Sequence, residues 1–271
     1  MIRGIIARCG LAIALVSAFA LVFSARTSSF GASQNSHEVA GSAKTWTAPD
    51  PATIPDGPLG DSIRLGRRVF DETPKYAAPY VGNKMSCSHC HIKSGTVPGG
   101  IPLVGVPGVF PEYRDREQAV VTFEERIEQC FQRSENGHRV PNTSAEMVGL
   151  VAFAQWLSKD QPAGHPFPGR GLVKLPELNG DRERGSQIYE QQCAPCHGAE
   201  GAGTPPAVPA LWGPDAYNAG AGMNRVSTMA AFVQHNMPQS NPGSLSPQQA
   251  YDVAAYVNSK PHAPFNITEH Q

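Results

Sequence analysis

Apolar residues recur at three- and four-residue spacing along this chain, and the stretches that show it come in a repeated order. A helix begins near Asp61 and carries Leu65, Val69 and Phe70 on one side. A similar piece over 181–192 carries Ile188 and Tyr189. Gly66 stands four residues before Phe70 and Gly185 four before Tyr189, so each helix sets a small residue beside an aromatic for a close crossing. Each half then ends in an amphipathic helix. The stretch 144–159 carries Met147, Leu150, Val151, Ala154 and Leu157; the stretch 246–260 carries Tyr251, Ala254, Ala255 and Val257. Ser246-Pro247 fits the N-cap and first helical positions of the latter. A further helix is framed by Thr122 and Glu125 as a capping box and by Asn136-Gly137 as a stop.

The chain opens differently. Arg3 and Arg8 precede an almost unbroken apolar run from Leu11 to Phe23. That run is shorter than the ~20 residues that span a bilayer, so 1–25 reads as a secretory signal peptide. A retained N-terminal anchor is the alternative, since Gly4 to Ala7 can extend the run past Arg8. Cys9 lies ahead of the apolar core and is a poor lipid acceptor. Residues 26–58, rich in Ser, Ala, Pro and Asp, read as a linker or surface strap, and the Pro/Gly-rich 163–180 reads as a second linker. Two domains remain, over 59–162 and 181–271, with helices and no strand pattern.

With 27 Gly and 25 Pro, domains of roughly 100 residues struggle to bury enough apolar surface unaided. Their sequences supply a remedy. Cys87-Ser88-His89-Cys90-His91 and Cys193-Ala194-Pro195-Cys196-His197 are both C-x-x-C-H, the attachment pattern of c-type haem. The four thiols would bond two haems covalently, with His91 and His197 as proximal iron ligands. Two complete copies, each after a matching helix in an exported chain, speak against a zinc or redox C-x-x-C pair followed by a chance histidine. A net charge of −1 excludes a nucleic-acid or membrane-surface role, so any anion site has to be local.

The distal ligands decide what such a protein does. After the second motif, Met237 stands before Pro238, and thioether ligation suits an electron carrier of raised potential. Met223, Met229 and His235 are its rivals. No Met-Pro follows the first motif at a comparable distance. Instead Cys130 lies unpaired in the capped helix, on an i, i+4 row with Arg126 and Ser134, flanked by Phe123, Ile127 and Phe131. Most free cysteines are small buried hydrophobes. An odd thiol in an oxidising compartment calls for metal binding, protection or catalysis.

The order of helix, haem motif, loops and helix resembles two class I cytochrome c domains in tandem, an all-α fold. The run Arg126 to Gly137, R-x-x-x-C-F-x-R-S-x-N-G, resembles the dihaem thiosulfate dehydrogenases of the TsdA type. That resemblance implies His91 and Cys130 as axial ligands of a catalytic first haem, and His197 and Met237 as those of an electron-transfer second haem. It also implies a pocket of arginines and a serine around the cysteine, here Arg126 and Ser134, with Arg116 matching by spacing. The lysine that some members carry before the methionine is Asn236 here, and the lysine expected after the serine is replaced by His138 or Arg139.

The implied reaction couples two thiosulfates to tetrathionate, reversibly in principle. Guanidinium donors screen the repulsion between two dianions. Electrons would leave to a soluble acceptor such as a small cytochrome c or an iron–sulfur protein, in the periplasm, with a membrane involved only if the N-terminal segment is retained. Three other readings use parts of the same equipment: a dihaem electron carrier without its own substrate, a SoxA-like thiosulfate oxidase subunit, and a dihaem peroxidase. A thiolate on the first iron speaks against the last.

Overall fold

A computed structural model describes residues 46–270. The expected signal segment 1–25, and the strap as far as residue 45, lie outside the described residues. Helix α1 (Pro58–Asp71) starts with Pro58 in its first turn and buries Gly60, Ile63, Gly66, Val69 and Phe70 along one face. A short hairpin follows the first haem motif: strand β1 (Glu112–Arg114) pairs antiparallel with β2 (Ala119–Val121). Helix α2 (Phe123–Arg133) begins directly after it, and helix α3 (Ala145–Leu157) is capped by Ser144, whose side chain accepts from Met147 N. Beyond the second linker come α4 (Arg182–Gln192), α5 (Val226–Asn236) and α6 (Pro247–Val257).

The two glycines act as their spacing predicts. A Cβ on Gly66 would come within 1.8 Å of Gly149 O, where α1 crosses α3. A Cβ on Gly185 would come within 2.0 Å of Asp252 O, where α4 crosses α6. Each half thus rests on one glycine-mediated crossing of its first and last helices. The fold is all-α apart from the hairpin, which the sequence reading did not anticipate.

The segment 163–180 is not a free tether. Phe167 is buried and meets Trp46 edge-on at 5.5 Å, while Gly99 N donates to Gly169 O and Ile101 N to Gly171 O. Across the seam between the halves, Asn83 Nδ2 donates to Ser134 O at 2.9 Å and Ala216 O at 2.8 Å. Buried Asn218 donates to Gln132 O and to Asn136 Oδ1, both at 2.9 Å. The apolar cores interlock as well, since Ile92 of the first half is buried in the core of the second, with Cys90 packed against it.

Candidate active site

Helix α2 presents the odd thiol. Its capping box forms as the sequence predicts: Thr122 N donates to Glu125 Oε2 at 2.7 Å, and Glu125 N to Thr122 Oγ1 at 3.2 Å. With the start of the helix fixed, Arg126, Cys130 and Ser134 all fall on the wall of one cavity of about 250 Å³. Arg126 Nη1 donates to Cys130 Sγ at 3.0 Å. Burial pushes the Cys130 thiol up, but the Arg126 charge and a hydrogen bond from His91 outweigh it and bring it down to about 6. At neutral pH the group is therefore a thiolate.

The first haem motif forms the opposite wall. Cys87, Cys90 and His91 line the same cavity with Phe70, Leu103 and Leu150. Burial pushes the Cys90 thiol up to about 12 and the Cys87 thiol well above its ordinary value. One cavity thus holds two neutral thiols and one thiolate. His91 Nδ1 lies 2.6 Å from Ile101 O, so the carbonyl orients the ring and the other ring nitrogen is the one that meets Cys130. This donor set fits a c-type haem: two neutral thiols for thioether formation, a carbonyl-oriented imidazole, a thiolate facing it, and apolar walls.

The second motif repeats part of the pattern. His197 Nδ1 lies 3.0 Å from Pro209 O, and burial pushes the Cys193 thiol up to about 11. Met237 caps the C-terminal end of α5 and packs, partly buried, against the core that also contacts Cys193 and Ala194. His235 turns its ring to Pro98 O of the first half at 3.1 Å, and Met223 and Met229 are buried core residues. Asn236 also packs toward the first half.

Not every expected residue is in the cavity wall. Arg116 stands outside it and donates to Gly220 O at 2.7 Å. The reason is the hairpin: β1 ends at Arg114, which points inward, and Arg116 falls on the turn beyond it. Burial, then the charges of Arg133 and Arg225, lower the Arg116 pKa. Neither substitute for the missing lysine lines the cavity. Arg139 pairs with Glu128 at 2.8 Å, and the His138 ring lies 6.2 Å from that of His270.

Three cavity residues escaped the sequence reading. Arg114 and Arg170 both bond Glu112, at 2.6 and 2.8 Å, and add two guanidiniums to the wall. Glu135 is 1% exposed, with Oε1 3.8 Å from Cys87 Sγ and Oε2 without a partner. Burial, and then the Cys130 charge, push its carboxyl well above the usual range.

Comparison with known proteins bears on this arrangement. The family model described as SoxA/TsdA, cytochrome c domain, matches residues 74–163, and the one described as Cytochrome c matches 182–260. The chain is 41% identical to a thiosulfate dehydrogenase of Allochromatium vinosum, over 81% of this chain and 85% of that one. The chain belongs to the thiosulfate dehydrogenase family. It is 42% identical to the Stutzerimonas stutzeri enzyme of that name, over 78% of this chain and 71% of that one. A solved structure of thiosulfate dehydrogenase (TsdBA) from Marichromatium purpuratum matches with a TM-score of 0.75 at 39% identity, covering 79% of this chain and 49% of that one. The chain thus spans about half the length of the TsdBA chain. Two cytochrome c domains in such a chain mean two covalently bound c-type haems.

Proposed function

We propose that this chain is an exported, periplasmic thiosulfate dehydrogenase that couples two thiosulfates to tetrathionate. The observation that carries the reading is the Arg126–Cys130 contact of 3.0 Å inside the cavity that also holds Cys87, Cys90 and His91. In this reading Cys87 and Cys90 would hold the first haem, with His91 and Cys130 as its iron-binding side chains; Cys193 and Cys196 would hold the second, with His197 and Met237 in that role. When bound, the haems would supply one-electron acceptors, the first held at low potential by the Cys130 thiolate and the second at higher potential by the Met237 thioether.

The chain's own groups then do the following. Arg126, with Arg114, Arg170 and Ser134 on the same wall, holds a thiosulfate dianion against its own repulsion. Once released from its ligand role, the Cys130 thiolate would bond the outer sulfur of that thiosulfate, the pair losing two electrons, one to each bound haem, to give a cysteine S-thiosulfonate. A second thiosulfate attacks the sulfur bound to Cys130 through its own outer sulfur. Tetrathionate leaves, and the thiolate is restored. The sum is two thiosulfates giving one tetrathionate and two electrons, which pass to a soluble acceptor such as a small cytochrome c or an iron–sulfur protein.

Replacing Cys130 by Gly tests the reading. Thiosulfate-dependent ferricyanide reduction should vanish while both haems remain attached. A variant turning over at near wild-type rate would show that the thiol takes no part, and would leave a dihaem electron carrier.

A further inference from the structure

The last turn of α5 touches the loop that orients the first histidine. His235 Nε2 lies 3.1 Å from Pro98 O. Asn236, 5% exposed, donates through Nδ2 to Phe232 O at 3.0 Å and to Gly99 O at 3.4 Å. The fit is close on both sides. Gly99 has a φ of +74°, and a Cβ there would come within 2.5 Å of His235 Nε2. A Cβ on Gly100 would come within 2.9 Å of Asn236 Oδ1.

What lies on either side of this contact gives it meaning. Within the loop, Gly100 O accepts from Ile92 N at 3.3 Å, and Ile101 O holds His91 Nδ1 at 2.6 Å. On the helix, the residue after Asn236 is Met237, whose N–H donates to Val233 O at 2.9 Å. The loop is backed from outside, because Gly99 N and Ile101 N donate to Gly169 O and Gly171 O at 2.8 and 3.0 Å. A displacement of His235 and Asn236 is therefore passed to Ile101 rather than absorbed by a slack loop. A second tie runs the other way: His89, between Cys87 and Cys90, reaches Pro206 O at 2.8 Å, three residues before the Pro209 carbonyl that faces His197.

We propose that His235 and Asn236 are positioning residues that make the axial ligation of the two haem centres interdependent, through the loop 97–101. The inference rests on the ligand reading above, with His91 and Met237 as axial residues. A carbonyl on Nδ1–H raises the basicity of a ligating imidazole and favours the oxidised centre, whereas thioether ligation favours the reduced one. Slack at this seam weakens both influences, so the first midpoint potential rises, the second falls, and the two converge.

The test is a spectroelectrochemical titration of both centres in the haem-loaded, full-length protein and in Asn236→Ala. The expected result is convergent movement of the two midpoints with both haems still attached. Gly99→Ala presses on the same contact from the first half and should give the same signature. A shift confined to the second centre, or no shift at either, overturns the proposal. If Asn236→Ala fails to retain both haems, Asn236→Ser carries the same test under the same two outcomes. If the unaltered protein itself shows no methionine–iron charge-transfer band, the ligand reading fails, and this inference fails with it.

Discussion

Replacing Arg126 by Met removes one guanidinium while keeping an apolar stem of similar bulk. The lost contact is a charge-assisted bond of 3.0 Å to a thiolate, in a cavity where burial alone pushes the thiol up. Bonds of this kind contribute about 1.5–3 kcal/mol. Because the neutral thiol needs no counter-charge, nearly all of that falls on the thiolate form. At 1.4 kcal/mol per tenfold, the acid constant of the thiol changes about 10- to 150-fold, and from a starting value of about 6 the thiolate fraction at pH 7, and kcat/KM with it, should fall about 2- to 14-fold. The assay is steady-state thiosulfate oxidation with ferricyanide, read as separate kcat and KM. If Arg126 served only to gather substrate, KM would rise and kcat would hold. If it also sustains the Cys130 thiolate, kcat falls too, and the thiolate-ligated low-spin EPR signal weakens. A Met variant with kcat/KM no lower than the parent's, with that signal unchanged, would refute the reasoning. Arg126→Lys keeps the charge but loses the forked donor, and should fall between the two.

Three further outcomes follow from the same coordinates. Gly66→Ala sets about 1 kcal/mol of helix propensity against a Cβ only 1.8 Å from a backbone carbonyl. Overpacking against an immovable neighbour costs about 1–3 kcal/mol or more, so Tm should drop by several degrees in a thermal melt, and a rise would show that the crossing is loose. Asn218→Ala strips partners from Gln132 O, Asn136 Oδ1 and Gly220 N, at about 1–3 kcal/mol for each buried group left unpaired; an unchanged denaturation midpoint would contradict the seam described here. Glu112 is pushed up by burial, but Arg114 and Arg170 together hold its carboxyl below the ordinary value. A depressed folded-state pKa gives stability that is present above the unfolded value and lost as pH falls through the folded one. Glu112→Gln should therefore destabilise at pH 7, and its difference from the parent should disappear in acid; a gap that persists at low pH would rule out the ionic origin.

Local features were legible in the sequence. The capping box at Thr122 and Glu125 set the phase of α2, and the phase put Arg126, Cys130 and Ser134 on one wall. The spacing of Gly66 and Gly185 announced both helix crossings, because a side chain too small to matter elsewhere is what a close approach demands. The hairpin was not legible, since Tyr113 and Val120 face solvent at 58% and 66% exposure and give no alternating apolar signal. With the hairpin missed, nothing placed Arg114 rather than Arg116 on the cavity wall. Arg170 lies 58 residues from Glu112 in sequence and belongs to a stretch whose composition reads as a tether. Nothing local marks it as part of the cavity. The shared core around Ile92 escaped for the same reason, since periodicity identifies a buried face but not the half of the molecule that buries it.

The lodging of Ile92 inside the neighbouring half makes these lobes poor candidates for division into independent single-haem proteins. A cut in 163–180 that parted the halves would leave an isoleucine and the flank of Cys90 wet on one fragment, with a matching hollow on the other. Melting should accordingly be a single cooperative event rather than two. Any lineage that borrowed one half as an electron carrier would have had to resurface that patch first.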